Sequence, residues 1–420
     1  MQISGRFTQR QAKTARKSAL AFSGCKQKIE FYFIRYPAVP RGWLYGLGVT
    51  IRNKMFDIGI LNQKAYDVPV ISVGNITVGG SGKTPHVEYL ISILKDKVKT
   101  AVLSRGYKRK THGYVLADDN STMRDIGDEP FQMKRKFKNI YVAVDKKRCN
   151  GIEHLLNDEA TKNVEVILLD DAFQHRYVKP GINILLVDYH RLIIYDKLLP
   201  AGRLREPMSG KERDDMVIIT KCPKDLKPME FRVLTKAMDL FPYQELYFTT
   251  IEYDKLTKMF GNGGEEKKTI DKEQLKDVNV LLVTGIASPK LLLNDMKPYC
   301  KSIKTMAFGD HHMFSAKDID KINDEFAALP SPKIIVTTEK DATRIEAADG
   351  LSTEAMEAIY AQPIHIKFML DQQEMFNNKI KSYVHKNSRN SILVKAKDDN
   401  KSRNSNHLRH GSGTISFRDN

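Results

Sequence analysis

The sequence predicts an α/β fold with a mostly parallel sheet, a second, smaller α/β lobe and an N-terminal amphipathic helix. Three observations support this prediction. Short apolar runs recur between residues 68 and 221, and continuous apolar strands of this kind are typical of parallel sheets covered on both faces. A second group of such runs follows between residues 278 and 341. After Pro40, apolar residues recur at helical spacing.

The apolar runs are the predicted strands. In chain order they are VPVISVGN (68–75), KTAVLSRG (99–106), NIYVAV (139–144), EVILLDD (165–171), INILLVD (182–188), DMVIITK (215–221), VNVLLVTGIAS (278–288), SIKTMAFG (302–309) and PKIIVTTEKD (332–341). Two of the intervals between them, PHVEYLISILKDK (85–97) and SAKDIDKINDEFAAL (315–329), are predicted helices. This grouping predicts one domain over residues 67–225 and a smaller lobe over residues 226–385.

Residues 31–66 are predicted to form an amphipathic segment. Leu44, Leu47 and Ile51 recur at helical spacing, and Trp43 stands near the start, where interfacial aromatic residues often lie. The longest uncharged stretch has ten residues, far fewer than the roughly 18–20 that a spanning helix needs. The periodicity leaves two interpretations open: a helix lying in a membrane interface, or a helix packed on its own domain.

Most of the net charge of +17 lies at the two ends of the chain. Residues 1–30 contain seven Lys or Arg and one acid, and residues 386–420 contain eight Lys or Arg and three acids. We predict that both segments are disordered tails, because basic polar ends are usually solvated. Only +6 remains for the 355 residues between them, which argues against nucleic acid as the partner.

Cysteine usage indicates a reducing compartment. The four cysteines stand far apart and form no C-x-x-C pair; they are Cys25, Cys149, Cys222 and Cys300. This spacing argues against a disulfide framework and against a zinc site. The first 24 residues lack the apolar core of a signal peptide, so we expect a cytosolic protein.

The stretch GNITVGGSGKTP (74–85) predicts a phosphate-binding P-loop. The pattern G-x-x-x-x-G-K-[ST] is met except at its first glycine, which is Thr77 here. A predicted strand precedes the loop and a predicted helix follows it, as a P-loop requires. The residues expected to surround the phosphates are Thr77, Val78, Gly79, Gly80, Ser81, Gly82, Lys83 and Thr84. Lys83 would reach the β- and γ-phosphates, and Thr84 would present its hydroxyl to Mg²⁺. The fold prediction therefore becomes a P-loop NTPase-type sheet.

The nucleotide is predicted to be ATP. Many P-loop GTPases recognise guanine through [NT]-K-x-D after a strand. In TKCP (220–223), Thr220 and Lys221 fit this pattern, but Pro223 replaces the aspartate.

Acidic residues supply candidate metal and proton-transfer groups. Asp170 and Asp171 end an apolar strand, where a P-loop protein places a carboxylate for its metal ion. In IGDEP (126–130), one of Asp128 and Glu129 could accept a proton while the other supports the metal. Adjacent acids in a loop are more commonly only solvated, and the sequence alone leaves this alternative open.

Further polar residues are candidates for substrate contacts. Gln174 and His175 follow the Asp170 strand, and Arg203 and Arg205 follow a Pro–Gly turn suited to an anionic group. The pair HH (311–312) beside an aspartate suggests support for a general base or metal binding, although too few partners at ligand spacing are present for zinc.

Taken in order, these motifs resemble the tetraacyldisaccharide 4'-kinases, the lipid A 4'-kinases. The resemblance covers roughly residues 31–345, and its segments are GWLYGL, VPVISVGNITVGGSGKTP, LSRGYKRK, GDEP, LLDDAFQHR, LLPAGRLREP, FGDHH and TTEKDATR. Members of this family share Thr or Ser at the position of Thr77. Two positions depart from the common pattern: Ala172, where many members have glycine, and Arg203, which is often uncharged.

The resemblance implies a kinase that transfers the γ-phosphate of ATP to the 4'-hydroxyl of a tetraacyldisaccharide 1-phosphate, forming lipid IVA. It implies that Asp128, helped by His311 rather than His312, is the general base, and that Lys83 acts in catalysis. Glu129, Thr84 and Asp170 would surround Mg²⁺. The implied substrate or transition-state contacts are Arg105, Tyr107, Asp171, Gln174, His175 and Arg205.

The implied partners are the lipid substrate and a membrane surface, with no nucleic acid and no obligate protein partner. The resemblance places the protein at the cytoplasmic face of the inner membrane, as a peripheral or monotopic protein without a transmembrane span. It favours the interfacial interpretation of residues 31–66. A rival class remains, a P-loop ATPase switch acting on a protein or metal cargo, because the phosphate loop and the Asp170 strand are common to both.

Overall fold

The computed structural model describes residues 38–260, 268–286 and 289–388. The chain forms two compact units. The first, here called the helix unit, comprises the described residues 38–60, Ile76–Val78 and Ile193–Gly210. The second, here called the sheet unit, comprises Leu61–Asn75, Gly79–Leu192 and the described residues after position 210. The predicted tails lie outside the described residues, except for residues 386–388, which end the last helix.

The described part of the sheet unit contains two sheets. Its strands are β1 (Val70–Gly74), β2 (Thr100–Ser104), β3 (Val115–Leu116), β4 (Tyr141–Val144), β5 (Val166–Asp170), β6 (Ile182–Asp188), β7 (Met216–Thr220), β8 (Glu245–Tyr253), β9 (Leu256–Lys258), β10 (Thr269–Ile270), β11 (Asn279–Thr284), β12 (Ser302–Ala307), β13 (Lys333–Thr338), β14 (Ile359–Gln362) and β15 (Ile364–Phe368). Every predicted apolar run contains one of these strands, so those predictions are confirmed.

The nine-stranded sheet has the order β15-β8-β7-β6-β1-β5-β2-β4-β3. Its seven inner strands pair in parallel, and only the edge strands β15 and β3 are antiparallel. Strands β1 and β5 are buried along their whole length, which explains why they read as continuous apolar runs. Val73 of β1 lies opposite Asp170 of β5, so the carboxyl ends of these two strands meet beside the phosphate loop.

The six-stranded sheet has the order β10-β9-β14-β13-β11-β12. Strands β14, β13, β11 and β12 pair in parallel, and β9 and β10 add antiparallel pairs at one edge. The two sheets confirm the predicted α/β class with a large, mostly parallel sheet. The division into domains at residue 225 stays a prediction.

Eleven α-helices are described, together with four short 3₁₀ helices. The α-helices are α1 (Ala38–Asp57), α2 (Lys83–Leu94), α3 (Met123–Ile126), α4 (Asp128–Lys136), α5 (Arg148–Asn157), α6 (Pro228–Met238), α7 (Pro289–Met296), α8 (Ala316–Ala327), α9 (Glu339–Glu346), α10 (Thr353–Ala358) and α11 (373–388). Helix α2 buries Val87, Leu90, Ile91 and Leu94 in the core of the large sheet, because apolar residues at these spacings form one face.

Helix α1 lies in the helix unit and has two different faces. Gly42 and Gly46 are buried, and a Cβ at Gly46 would lie 2.5 Å from the Leu198 side chain. The opposite face exposes 70% of Trp43 and 58% of Leu47, together with Leu44 and Ile51. None of the described helices is long and apolar enough to cross a membrane.

Candidate active site

The phosphate loop, residues 77–84, is shaped by the conformations of its glycines and by hydrogen bonds between its residues and neighbouring side chains. Gly79 and Gly82 have φ of 121° and 84°, values that only glycine adopts without strain. Asn75 donates to Ser81 Oγ at 2.7 Å, and Thr220 Oγ1 donates to the Ser81 carbonyl at 2.9 Å. Lys221 also donates to the Gly80 carbonyl. These bonds hold the loop where helix α2 begins, and a helix N-terminus attracts phosphate.

The first two residues of the loop belong to the helix unit. There Val78 N donates to the Arg203 carbonyl at 2.8 Å, and Arg205 N donates to the Ile76 carbonyl at 2.7 Å. Thr77 forms an antiparallel bridge with Leu204. Thr77, the residue that departs from the P-loop pattern, therefore forms a short β-like contact within this unit. Arg205 is half-buried and accepts a hydrogen bond from Tyr45 through its carbonyl.

Lys83 and Thr84 begin helix α2 and face acidic side chains. Lys83 Nζ lies 3.5 Å from Asp171 Oδ1. The Thr84 hydroxyl donates to Glu129 Oε1 at 3.1 Å. The loop lysine, the loop threonine and two of the predicted acids thus meet in the sheet unit, in the arrangement that a metal-bound phosphate would require.

Asp170 is fully buried at the end of β5. Ser104 donates to its Oδ2 at 3.0 Å, while Oδ1 is buried with no hydrogen-bond partner among the described residues. Burial, together with the charges of Glu129 and Asp171, raises the pKa of Asp170 to about 7. A cation at Oδ1 would satisfy this carboxylate, so the residues present fit a bound Mg²⁺ ion.

No group of three or more His, Cys, Asp or Glu side chains within the described ranges is arranged to hold a metal ion by itself.

Asp128 begins helix α4 and receives two donors on one oxygen. His311 Nδ1 lies 2.8 Å from Asp128 Oδ2, and Arg344 Nη2 donates to the same oxygen. Burial alone would raise the pKa of Asp128, but the hydrogen bonds and charges of His311 and Arg344 outweigh it and hold that pKa well below its usual value. An ionised carboxylate can only accept, so Nδ1 of His311 carries a hydrogen. His311 Nε2 lies 4.0 Å from Asp310 Oδ1.

Glu129, the next residue, is paired with Lys340 of helix α9 at 2.5 Å. Burial would raise the pKa of Glu129, but the charge of Lys340 and its hydrogen bond lower that pKa to about 2. We call Asp128, Glu129, His311, Lys340 and Arg344 the acid–base cluster. Both of its acids are therefore ionised at neutral pH.

The two histidines of FGDHH have different partners. His311, with φ of 58°, contacts Asp128. His312 instead binds Asp318 at 3.0 Å, which caps helix α8. The geometry thus brings His311, and not His312, to the acids.

The predicted substrate residues of the sheet unit lie around these groups. Tyr107 is exposed and sets its ring edge-on to His311, with centroids 5.8 Å apart. Arg105 is also exposed. Gln174 donates to the Asn75 carbonyl at 2.7 Å, and His175 Nε2 accepts from the backbone N–H of Arg148 at 3.3 Å.

No role was predicted for Lys340, Arg344 or Arg148. Arg148 is buried and donates to the Asp170 carbonyl at 3.0 Å. Lys340 and Arg344 lie in TTEKDATR, which was matched as a motif only. Their spacing of four residues places both side chains on one face of a helix. This spacing does not indicate which acidic residues they contact.

Comparison with known proteins identifies relatives over most of the chain. A family model described as tetraacyldisaccharide-1-P 4'-kinase matches residues 35–385. A tetraacyldisaccharide 4'-kinase from Phocaeicola vulgatus is 57% identical over 353 residues, covering 84% of this chain and 96% of that protein. A tetraacyldisaccharide 4'-kinase from Bacteroides thetaiotaomicron is 52% identical over 357 residues, covering 84% and 94%.

A solved structure is similar as well. The crystal structure of the "apo" form of LpxK from Aquifex aeolicus in complex with ATP superposes with a TM-score of 0.62 at 28% sequence identity. The match covers 82% of this chain and 98% of that one.

Proposed function

The chain belongs to the tetraacyldisaccharide-1-P 4'-kinase family, and we propose that its phosphate loop and acid–base cluster together perform the phosphoryl transfer. The protein is an ATP-dependent kinase that phosphorylates the 4'-hydroxyl of a tetraacyldisaccharide 1-phosphate in lipid A biosynthesis. The family match and the named relatives do not favour the ATPase-switch alternative. The observation that best supports our assignment of residues is the bond from Thr84 to Glu129, which joins the loop to the acids.

The phosphate loop would hold ATP. The start of helix α2 would face the phosphates, and Lys83 would add a positive charge. Lys83 lies 3.5 Å from Asp171, a contact that keeps its ammonium group near the loop. Phosphoryl transfer needs positioning and charge neutralisation more than covalent chemistry, and Lys83 supplies both.

Thr84, Glu129 and Asp170 would hold Mg²⁺. When bound, the ion would neutralise negative charge on the phosphates. Glu129 is ionised and accepts from Thr84, and the unsatisfied Oδ1 of Asp170 supplies a second carboxylate oxygen.

Asp128 and His311 would remove the proton of the sugar hydroxyl. The Oδ2 atom of Asp128 accepts from His311 and Arg344, and its Oδ1 atom accepts from the Glu129 N–H at 3.1 Å. The remaining lone pair of Oδ1 and His311 Nε2 would be the acceptors for a substrate hydroxyl. Arg105, Tyr107, Gln174 and His175 would contact the disaccharide, and Arg205 of the helix unit would contact an anionic group.

We further propose that the enzyme works on a membrane surface, at the cytoplasmic face of the inner membrane. A tetraacylated substrate resides in a bilayer, so the enzyme must reach it there. The exposed face of α1 offers Trp43, Leu44, Leu47 and Ile51, an apolar stripe suited to the lipid interface.

The kinase assignment can be tested with purified protein, Mg·ATP and a tetraacyldisaccharide 1-phosphate in detergent micelles, followed by mass spectrometry of the lipid. We expect a product heavier by one phosphate, which the Lys83→Ala variant does not form. An unmodified lipid, together with ATP hydrolysis that is equally fast without it, would instead support the ATPase-switch function.

Membrane binding can be tested by cosedimentation with anionic phospholipid vesicles. Leu44→Asp should weaken binding by about tenfold or more, because burying a leucine side chain contributes roughly 1.5–3 kcal/mol. Val233→Asp is a matched control, since Val233 is 57% exposed on helix α6 of the sheet unit. Equal losses in both variants would argue against α1 as the membrane contact.

A further inference from the structure

We propose that Arg344 is a positioning residue that holds the Asp128–His311 pair in one geometry, so that the acceptor hydroxyl meets a fixed base. This inference rests on the proposed kinase function and assigns a positioning role to Arg344 of the TTEKDATR segment.

The guanidinium of Arg344 is anchored on its far side by the six-stranded sheet. Arg344 is 1% exposed, and its Nη1 donates to Asp341 Oδ1 at 2.9 Å and to the Gly285 carbonyl at 3.3 Å. Asp341 is itself fixed, since it accepts from Gly285 N at 2.8 Å and from the Thr338 hydroxyl at 2.7 Å. The end of β11 and the first turn of α9 therefore hold Nη1 rigidly.

The other amino group, Nη2, points at the cluster. It donates to Asp128 Oδ2 and lies 3.3 Å from His311 Nδ1. Because arginine and the protonated Nδ1 are both donors, the short separation means that they share one acceptor. Arg344 and His311 together occupy Oδ2, and the Glu129 N–H donates to Oδ1 at 3.1 Å, so a substrate hydroxyl would meet the remaining lone pair of Asp128 Oδ1 or His311 Nε2. The guanidinium of Arg344 has two separate amino groups, so one can be anchored while the other holds Asp128. A lysine side chain offers only a single ammonium group.

Arg344→Lys tests this role. Lysine keeps the charge but cannot reach both anchors and Asp128, so kcat should fall ~10²-fold, as small misplacements of a reacting group do. The KM for ATP should not change, because the phosphate loop is untouched. Asp341→Asn, which loosens the anchor without removing Arg344, should lower kcat in the same direction by a smaller factor.

Arg135→Met is the matched control. Arg135 pairs with Glu346 and so joins the same two helices, α4 and α9, without touching Asp128. If Arg344 only fastened these helices together, Arg135→Met would lower kcat to a similar degree. We expect Arg135→Met to keep wild-type kcat.

Chemical rescue separates positioning from folding. Millimolar guanidinium should restore part of the kcat of Arg344→Ala, whereas the same concentration of tetramethylammonium should not. The midpoint of thermal unfolding of the variant should be the same with and without guanidinium. The inference is overturned if Arg344→Lys keeps wild-type kcat, if Arg135→Met matches its loss, or if guanidinium restores nothing to folded Arg344→Ala. A wild-type protein that leaves the lipid unmodified would instead overturn the proposed function.

Discussion

The phosphate loop and the acid–base cluster are held in place by different forces. The loop is shaped by glycine conformations and by hydrogen bonds to its backbone, such as Thr220 to the Ser81 carbonyl. The cluster is held by opposite charges, with Arg344 on Asp128 and Lys340 on Glu129. Substitutions in the loop should therefore lower nucleotide affinity, whereas substitution of Asp128 should lower turnover.

The largest effect is expected at Asp128. Asp128→Ala should lower kcat by ~10²–10⁴-fold, the usual contribution of a general base. Steady-state phosphorylation of the lipid measures the loss, with Glu129→Ala prepared in parallel. A mild Asp128→Ala beside a more damaging Glu129→Ala would reverse the roles proposed for the two acids.

Lys83→Ala comes next and belongs to the loop. Removing a charge that stabilises the transferring phosphate should lower kcat/KM by ~10²–10³-fold. Unlike the Asp128 change, it should also weaken ATP binding, because Lys83 contacts the phosphates in the ground state. Titration of kcat and KM against ATP distinguishes the two effects, and an unchanged KM for ATP would contradict this assignment.

Gly82→Ala should have a smaller effect that comes from conformation alone. A Cβ there would be 3.6 Å from the His86 ring, an ordinary contact, but φ is 84°, which costs a non-glycine residue ~1–2 kcal/mol. The KM for ATP should rise about tenfold, since 1.4 kcal/mol is a factor of ten.

Gly113→Ala is the matched control for this prediction. Gly113 has φ of 70° and nothing within 4 Å of the added Cβ. It should lose similar stability in denaturant unfolding without any change in KM. Equal KM changes in both variants would remove the link between loop shape and affinity.

A separate effect concerns stability against pH rather than catalysis. His86 is buried below the loop, with Nδ1 2.7 Å from the Gly82 carbonyl and Nε2 3.1 Å from Thr249 Oγ1. Burial lowers the pKa of His86 to about 4. The folded state therefore binds fewer protons than the unfolded state between pH ~4 and ~6.5. The stabilisation is complete above pH ~6.5 and is lost as the pH falls towards 4, by at most about 3 kcal/mol.

His86→Asn tests this pH dependence. Asparagine keeps a donor for the Gly82 carbonyl and does not titrate, so the free energy of unfolding should fall less steeply with acid than in the wild type. Denaturant unfolding at several pH values between 4 and 7 measures the difference. Parallel pH profiles for the two proteins would show that His86 does not contribute.

The loop was predictable because its information is local. A strand, a glycine-rich turn and a helix lie within about thirty residues of sequence, and each has a recognisable pattern. Six of the seven parallel inner strands of the nine-stranded sheet were predictable for a similar reason, since burial on both faces makes them continuous apolar runs. Strand β8 was not predicted, because only four of its nine residues are buried. Strand β15 was not predicted, because it is an antiparallel edge strand whose residues alternate between buried and partly exposed positions.

The cluster was only partly predictable. GDEP and FGDHH stood out as motifs, but their pairing came from the family resemblance, because residues 128 and 311 meet only through the tertiary fold. Nothing local to Arg344 indicates that it reaches Asp128, which lies 216 positions away in the sequence. Contacts of this kind depend on how β11, β13 and α9 are placed, and no short pattern encodes that placement.

The most direct test of the division between loop and cluster is the dissociation constant of ATP, measured by calorimetry for the wild type, Lys83→Ala and Asp128→Ala. The account predicts that Asp128→Ala binds ATP as tightly as the wild type while phosphorylating almost no lipid, and that Lys83→Ala binds ATP more weakly. If Asp128→Ala lost ATP affinity as strongly as Lys83→Ala, the cluster would be part of the nucleotide site and the proposed division would be wrong.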